Sequence, residues 1–316
     1  MRGGVNSGWD GPLFIVGCSR SGTTLLQQML NAHPLIAIAP ETHFAARYWA
    51  HAAQYGDLVE AERFERLLDD IGSSVFFPDL GIDRELFLEH ARKAEHSFPG
   101  VFDALMRLFA EAKGARVRGE KTPSHIQHMA LLAETFPGAR FIHIVRDPRA
   151  VVCSRLRESW THDTARDNAR FWVEAVTAAR RQEAQLCRRL ATVRYEALVS
   201  GPLPVLRALC VFAEVECAPE MLEYWKHNER LVNVAREPWK ANALKPLQQE
   251  AVGRWERELG AEDVATIESF AWPLMRHFGY RAHTPAFSLL PRVLRRATRD
   301  RVAGLRRFAR GIARRG

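Results

Sequence analysis

The sequence has no long apolar run and few cysteines. The five cysteines among 316 residues are odd in number, widely separated and without a Cys-x-x-Cys pair, so we expect neither a disulfide framework nor a zinc site. The longest apolar segments are far shorter than the roughly 20 residues that cross a bilayer. The first residues also lack the apolar region of a signal peptide. We therefore expect a cytoplasmic protein.

Acidic residues are nearly absent from the last part of the chain. Residues 291–316 contain ten arginines and one aspartate, whereas residues 1–290 carry a net charge of only −1. A nearly neutral body does not favour nucleic-acid binding. We predict a basic C-terminal helix in a tail over residues 286–316, because apolar residues within 289–312 recur at helical spacing. Such a helix fits an anionic membrane surface or an acidic partner, and the alternative is a solvated extension.

Apolar runs alternate with helical patterns along the rest of the chain. This alternation predicts an α/β fold, with a central parallel sheet covered by helices on both faces. The helical patterns include residues 126–136 and 171–190. Residues 43–113 are mostly helical in pattern and interrupt the strands, so we predict a substrate lid inserted into one domain over residues 12–285. The predicted strands lie at residues 13–16, 35–38, around 117, 141–145 and 192–195.

A glycine-bounded loop follows the first predicted strand and precedes a helical segment at residues 25–31. A strand, such a loop and a helix N-terminus together form a cradle for phosphate. Gly17 and Gly22 have the spacing of a nucleotide-binding P-loop, but Thr23 stands where that loop needs lysine. The cation is Arg20 instead, which does not suit the Mg²⁺ chemistry of a nucleotide triphosphatase. The loop residues predicted to bind a phosphate ester are Arg20, Ser21, Gly22, Thr23 and Thr24.

The run Arg-Ser-Gly-Thr-Thr-Leu at residues 20–25 resembles the 5′-phosphosulfate loop of sulfotransferases that use 3′-phosphoadenylyl sulfate (PAPS). Arginine in this loop is similar to the tyrosylprotein sulfotransferases and their bacterial relatives. Further motifs extend the resemblance in order to about residue 280, and Gly-Glu-Lys-Thr-Pro at 119–123 is similar to the heparan-type enzymes. The resemblance implies PAPS as donor and no metal. It also implies release of adenosine 3′,5′-bisphosphate and an acceptor hydroxyl on a small molecule, glycan, lipid or peptide.

Other motifs resemble the nucleotide contacts of the family. Arg146 ends the fourth predicted strand and Ser154 follows eight residues later, which matches the 3′-phosphate segment, where a guanidinium and a hydroxyl clamp one phosphate. Tyr195 belongs to a Tyr-Glu-x-Leu run that the resemblance places near the nucleotide. Residues 239–254 are similar to the loop that closes over the nucleotide, with Trp239 expected over the adenine. The cations of that segment are Lys240, Lys245 and Arg254.

Two glutamates are candidates for the base that removes the proton of the acceptor. Glu41 matches the catalytic glutamate of the tyrosylprotein enzymes, and Glu120 matches that of the heparan-type enzymes. Arg20 and Lys121 are predicted to balance the charge on the departing phosphate. We favour Glu41 over Glu120. The remaining candidates are His43, His125 and His128.

His43 stands where the tyrosylprotein enzymes have an arginine, which puts an acidic peptide acceptor in doubt. Two functions outside this family stay open at this point. A P-loop small-molecule kinase is disfavoured by the missing lysine before Thr24. The other alternative is a non-catalytic nucleotide-binding scaffold that is recruited through its basic tail.

Overall fold

The computed structural model describes residues 9–227, 232–294 and 296. The chain forms two compact units, one from residues up to 145 with 178–249 and the other from 146–177 with residues from 250 onward. The sequence-based boundaries at 12–285, 43–113 and 286–316 stay predictions.

The first unit contains a five-stranded sheet in which every neighbouring pair is parallel. Its spatial order is β2-β3-β1-β4-β5. This confirms the predicted α/β class, and each predicted strand lies within two residues of an observed one. The strands are β1 (Leu13–Gly17), β2 (Ile36–Ala39), β3 (Val117–Lys121), β4 (Arg140–Val145) and β5 (Leu190–Arg194).

The α-helices of the described residues before 280 are numbered here in chain order. The predicted helix at 171–190 begins earlier and ends earlier in the structure, and Tyr195 opens a helix instead of ending a strand. The helices are α1 (Thr23–Asn31), α2 (Phe44–Arg47), α3 (Ala52–Tyr55), α4 (Ala61–Gly72), α5 (Arg84–Lys93), α6 (Phe98–Glu111), α7 (Met129–Thr135), α8 (Pro148–Arg155), α9 (Ala165–Leu186), α10 (Tyr195–Ser200), α11 (Pro202–Phe212), α12 (Glu250–Gly253), α13 (Trp255–Glu258) and α14 (Ala261–His277).

Short 3₁₀ helices complete the path between these elements. Two of them matter for the site, because one follows β3 and another contains Trp239 and Lys240. They are Trp49–His51, Phe77–Leu80, Pro123–His128, Cys187–Arg189, Pro219–Lys226 and Pro238–Leu244.

The strand order places β1 at the centre, with β3 on one side and β4 on the other. In parallel α/β sheets ligands bind beyond the carboxyl ends of the strands where the order reverses. The α1 helix is fastened to β2 by side-chain hydrogen bonds, since Gln27 and Asn31 donate to the Ile38 carbonyl at 3.0 and 2.9 Å. The Ile38 amide donates back to Asn31 Oδ1 at 2.7 Å. The loop before α1 is thereby held relative to the end of β2.

The second unit is built around a buried arginine. Asp147 caps α8 by accepting from the Arg149 amide at 2.9 Å. The Arg149 guanidinium contacts Asp147 at 2.5 Å and Glu268 of α14 at 2.7 Å, and it lies 4.0 Å from the centre of the Trp255 ring. Glu268 also accepts from the amides of His283 and Thr284. One arginine therefore links α8, α14 and the segment that follows α14.

Residues 286–294 are helical, which covers the first part of the predicted tail helix. Residues 297–312 of that prediction lie outside the described residues. Among the residues that the structure describes, no helix is both long and apolar enough to cross a membrane.

Candidate functional site

The loop between β1 and α1 brings buried polar groups to the end of the central strand. Ser21 is buried, its amide donates to the Cys18 carbonyl at 3.1 Å, and its hydroxyl has no hydrogen-bond partner among the described residues. Arg20 adopts a left-handed backbone with a φ of 73°. Its guanidinium donates to the Trp239 carbonyl at 3.4 Å. The loop thus presents a cation and an orphaned hydroxyl beside the N-terminus of α1.

The backbone of Gly22 in this loop lies against the ring of Tyr195. Gly22 has a φ of 95°, a conformation that costs little only for glycine. A Cβ atom at this position would lie 2.4 Å from Cδ2 of Tyr195. The ring of Tyr195 therefore packs directly on the loop backbone, and its predicted position near the nucleotide stays a prediction.

Glu41 lies after β2 and receives two ammonium groups. Lys121, at the end of β3, places Nζ 2.5 Å from Glu41 Oε1, and Lys240 Nζ lies 2.8 Å from the same oxygen. Lys121 also donates to Thr24 Oγ1 at 3.4 Å. His43 Nε2 is 3.5 Å from Glu41 Oε2. The structure therefore brings together one carboxylate, two lysines and the hydroxyl of Thr24 in the first turn of α1.

Burial and neighbouring charge set the protonation of this cluster. Burial opposes ionisation of Glu41, but Lys121 and Lys240 outweigh it and hold the pKa of this carboxyl well below its usual range. Burial lowers the pKa of Lys121 to about 8, although Glu41 pulls in the opposite direction. Burial likewise lowers the pKa of His43, against the attraction of Glu41. The low pKa of Glu41 keeps its carboxylate ionised at neutral pH.

Glu120 has a different environment. It is 0% exposed, and its Oε1 accepts from the Thr42 amide at 3.0 Å and from the Thr42 hydroxyl at 2.9 Å. The Thr122 hydroxyl donates to the same oxygen. Its Oε2 is 3.0 Å from His125 Nδ1. Burial opposes ionisation of Glu120, but His125 and these hydrogen bonds lower the pKa of its carboxyl.

The segment predicted to close over the nucleotide is only partly engaged with this cluster. Lys240 contacts Glu237 at 2.7 Å in addition to Glu41, and Trp239 contributes the carbonyl that Arg20 contacts. Lys245 is exposed, and its carbonyl accepts from the Tyr224 hydroxyl.

Three predicted nucleotide residues lie in the second unit. Arg146 donates to the Ala251 carbonyl at 2.8 Å, and its own carbonyl accepts from Trp172 at 3.1 Å. Ser154 is half-buried on α8, and Arg254 directly precedes α13. Their predicted contacts with a nucleotide stay predictions.

The described residues contain no group of three or more His, Cys, Asp or Glu side chains able to hold a metal ion. The charge that a metal would supply in a phosphate site is present here as Arg20, Lys121 and Lys240. The expectation of a metal-free reaction stays a prediction.

Comparison with known proteins identifies the family. A family model described as the sulfotransferase family matches residues 12–219, which is more than half of the chain. The chain belongs to the sulfotransferase family. Membership confirms the resemblance that the loop and strand-end motifs carry, and it shows sulfuryl transfer by an enzyme. It decides against the kinase and scaffold alternatives.

Named relatives include protein-tyrosine and carbohydrate sulfotransferases. Protein-tyrosine sulfotransferase 1 of Danio rerio is 27% identical over 293 residues, covering 87% of this sulfotransferase and 74% of the relative. Carbohydrate sulfotransferase 5 of Mus musculus is 28% identical over 180 residues, covering 48% of this chain and 44% of the relative.

Solved structures show the same fold. The sulfotransferase domain from the curacin biosynthetic pathway superposes with a TM-score of 0.64 at 20% identity, covering 87% of this chain and 99% of that domain. The sulfotransferase domain from the Synechococcus PCC 7002 olefin synthase gives a TM-score of 0.59 at 24% identity, covering 84% and 97%.

Sequence reasoning missed several partners in this sulfotransferase. It placed Lys240 among nucleotide cations and did not foresee its contact with Glu41, nor the contact of Lys240 with Glu237. It also missed the role of Thr42 and Thr122 as donors to Glu120. A threonine close to each candidate glutamate was the sequence signal that could have predicted these donors. The two runs are Glu41-Thr42 and Glu120-Lys121-Thr122.

Proposed function

We propose that this sulfotransferase transfers the sulfuryl group of PAPS to an acceptor hydroxyl and releases adenosine 3′,5′-bisphosphate. The observation that supports this most is the cluster of Glu41, Lys121 and Lys240, which Thr24 links to the loop before α1. A proton acceptor and two cations stand beside a loop suited to a phosphate ester. These are the groups that sulfuryl transfer requires.

The loop residues are proposed to hold the 5′-phosphosulfate of the donor. The buried Ser21 hydroxyl and the first amides of α1 donate hydrogen bonds to its oxygens, and Arg20 supplies positive charge. Arg146 and Ser154 are proposed to bind the 3′-phosphate, with the other predicted nucleotide residues around the base. The bond from sulfur to the bridging phosphate oxygen breaks as the acceptor oxygen bonds to sulfur. Lys121 and Arg20 stabilise the charge that accumulates on the departing phosphate.

Glu41 is proposed to take the acceptor proton. Without donor, its two ammonium partners keep its pKa low and make it a weak base. A donor phosphate competes for the ammoniums of Lys121 and Lys240, so the pKa of Glu41 rises toward the working range and proton transfer becomes favourable. The base is thereby active mainly when the donor is bound. Glu120 has no comparable access, because it is completely buried.

The donor assignment is tested with sulfur-labelled PAPS and by calorimetry. The wild-type protein should transfer label to an acceptor, and it should bind adenosine 3′,5′-bisphosphate much more tightly than AMP. Arg146→Ala should weaken bisphosphate binding far more than AMP binding, since one charge-assisted contact is worth about 1.5–3 kcal/mol. Equal affinity for the two nucleotides would overturn the 3′-phosphate assignment.

The acceptor is proposed to be a hydroxyl compound. Relatives are named for protein tyrosine and for carbohydrate, and the sequence adds His43 in place of an arginine of the tyrosylprotein enzymes. A panel of phenols, sugars, lipid head groups and tyrosine peptides, each with labelled PAPS, distinguishes the classes. Acidic peptides should be poor acceptors if the arginine is what binds them in those enzymes.

We also propose a cytoplasmic location with peripheral contact to anionic membranes through the C-terminal segment. In the helix at 286–294, Leu289 is buried and Arg292 pairs with Glu262 of α14 at 2.7 Å. The opposite face exposes Phe287 at 83% and Leu290 at 51%. An apolar face followed by an arginine-rich sequence fits an anionic lipid surface.

Vesicle co-sedimentation tests this contact. Wild-type protein should sediment with vesicles that contain phosphatidylserine and much less with pure phosphatidylcholine, and added salt should release it. The double variant Phe287→Ser, Leu290→Ser should lose much of this binding. Val211→Ser, which changes another exposed apolar residue, is the control. Equal binding of both variants would contradict the proposal.

A further inference from the structure

We propose that Glu120 and His125 form a buried positioning pair that fixes the base Glu41, and that neither residue exchanges a proton with the acceptor. The inference rests on the proposed role of Glu41. It gives a new function to two residues that sequence reasoning considered only as candidate bases.

The backbone that follows Glu41 is held at four consecutive amides. Thr42 N donates to Glu120 Oε1 at 3.0 Å, and His43 N donates to Thr122 Oγ1 at 3.1 Å. Phe44 N donates to the Thr42 hydroxyl at 3.2 Å, and Ala45 N donates to His125 Nε2 at 3.2 Å. Helix N-termini leave their first amides without backbone acceptors. Here side chains supply the acceptors, and three of the four belong to residues 120–125.

One oxygen of the Glu120 carboxylate is fully engaged in this arrangement. Its Oε1 accepts from the Thr42 amide, the Thr42 hydroxyl and the Thr122 hydroxyl, and its Oε2 lies 3.0 Å from His125 Nδ1. Its side chain is 0% exposed. A carboxylate that holds three donors on one oxygen and is shut off from solvent is closed to an acceptor hydroxyl. Glu120 therefore holds other groups in place.

The contacts of His125 also determine its tautomer. Because Nε2 accepts a hydrogen bond from the Ala45 amide, that nitrogen carries no proton. The single ring proton of the neutral imidazole is then on Nδ1, which lies 3.0 Å from Glu120 Oε2 without the alignment of a hydrogen bond. A second proton on Nε2 would face the Ala45 N–H group. Phe102 packs edge-on against the ring at 5.9 Å, and the ring itself is 0% exposed, so water does not substitute for either contact.

The end of β3 thus positions both the carboxylate of Glu41 and the backbone that follows it. Lys121 follows Glu120 directly, and successive side chains on a strand point to opposite faces. Lys121 contacts the carboxylate of Glu41, whereas Glu120 holds the backbone of Thr42, the residue after Glu41. Loss of the pair should let Glu41 move relative to Lys121 while the phosphate loop keeps its structure. Small displacements of a reacting group are expensive in rate, about 10²-fold for 1 Å.

The test compares Glu120→Gln, His125→Phe and the double variant, with sulfur-labelled PAPS and a working acceptor. Each single variant should lower kcat by roughly 10- to 100-fold, while calorimetry shows bisphosphate affinity within about twofold of wild type, as expected for a change that leaves ligand contacts intact. The double variant should lose no more than the worse single variant, because the two residues act as a unit. The rising limb of the pH–kcat profile, which reports the base, should persist in all three.

His33→Phe is the matched control. His33 is also buried, and its ring likewise contacts backbone groups, with Nδ1 accepting from the Leu35 amide at 3.0 Å and Nε2 lying 2.6 Å from the Glu216 carbonyl. This variant should lose stability but keep its kcat. Thermal unfolding of every variant shows that each is folded at the assay temperature. Long-range ¹⁵N NMR of the wild-type protein should show His125 as the Nδ1–H tautomer.

Three outcomes would overturn the positioning role. In the first, the small turnover that remains in Glu120→Gln no longer shows the rising limb, which makes Glu120 the base. In the second, the effects of the single variants multiply in the double variant. In the third, NMR shows a proton on Nε2 of His125. If the wild-type protein transfers no label from PAPS, the proposed function fails separately, and the NMR result still tests the pair.

Discussion

At the scale of single residues, Glu41 is held in a state that is unsuited to its proposed task. Two ammoniums contact one of its oxygens, and they lower its pKa more than burial raises it. A base of this kind gains strength only when another anion takes its partners. The pKa of Glu41 in the free protein therefore differs from its pKa in the donor complex.

Glu41→Gln separates chemistry from binding. We expect kcat to fall by about 10²–10⁴-fold, the usual cost of removing a general base. Bisphosphate affinity should be retained or increase, because Lys121 and Lys240 lose the carboxylate that neutralises them. Steady-state kinetics and calorimetry on the same preparation measure both quantities. A variant that keeps most of its turnover would show that Glu41 is not the base.

Lys121 is expected to set the alkaline limit of activity. Burial lowers its pKa to about 8, so its ammonium is present below that pH and is lost as the pH rises through it. The pH profile of kcat/KM for the donor should therefore fall near pH 8. Lys121→Arg should lower the rate but remove this fall, because a guanidinium stays charged.

Lys113→Arg is the control for this experiment. Burial also lowers the pKa of Lys113 to about 8, but its ammonium contacts backbone carbonyls near the end of α1, including that of Ile36 at 2.6 Å. The fall near pH 8 should stay unchanged in this variant. If it shifts here and not in Lys121→Arg, the assignment to Lys121 is wrong.

At the scale of elements, the loop before α1 depends on close packing against Tyr195. Gly22→Ala puts a methyl group 2.4 Å from the ring at a φ of 95°. Gly81→Ala has a similar backbone, with a φ of 62°, and no heavy atom within 4 Å. Both pay about 1 kcal/mol for the left-handed backbone. Only Gly22→Ala should lose additional stability and weaken bisphosphate binding, as measured by chemical unfolding and calorimetry.

Helix α14 offers a second comparison at this scale. Glu268 is buried and partners Arg149, whereas Glu262 on the same helix makes an exposed pair with Arg292. Glu268→Ala should lower the free energy of unfolding by about 3–5 kcal/mol, because it leaves a buried guanidinium short of one partner. Glu262→Ala should change it little. Similar losses in urea unfolding would mean that Arg149 does not depend on Glu268.

At the scale of the whole molecule, nucleotide binding should stabilise the chain without metal. At a concentration 100 times its dissociation constant, adenosine 3′,5′-bisphosphate should raise the free energy of unfolding by about 2.7 kcal/mol. EDTA should change neither this shift nor turnover, because Arg20 and Lys121 are proposed to balance the phosphate charge. Differential scanning fluorimetry with and without EDTA checks this. A stabilisation that needs added Mg²⁺ would contradict the metal-free site.

Much of the fold follows from local patterns in the sequence. Apolar runs predicted all five strands, and the glycine spacing predicted the loop before α1. The predicted ends of α9 and of the strand before Tyr195 were less accurate, because the end of an element depends on packing with other segments. Residues 43–113 were correctly expected to be mostly helical, but no local pattern indicates whether they cover a substrate.

The sequence by itself determined which elements form, their order and the residue types that reach the strand ends. These follow because side-chain periodicity acts over neighbouring residues, and parallel strands gather their carboxyl ends at one edge. Only the tertiary structure decided that Lys240 joins Lys121 on Glu41, and that Glu120 faces His125 and not solvent. Two glutamates that both matched a family motif, with Glu41 favoured, thus received different environments. Contacts between distant segments depend on packing and on the hydrogen-bond needs of buried backbone, which no single stretch of sequence contains.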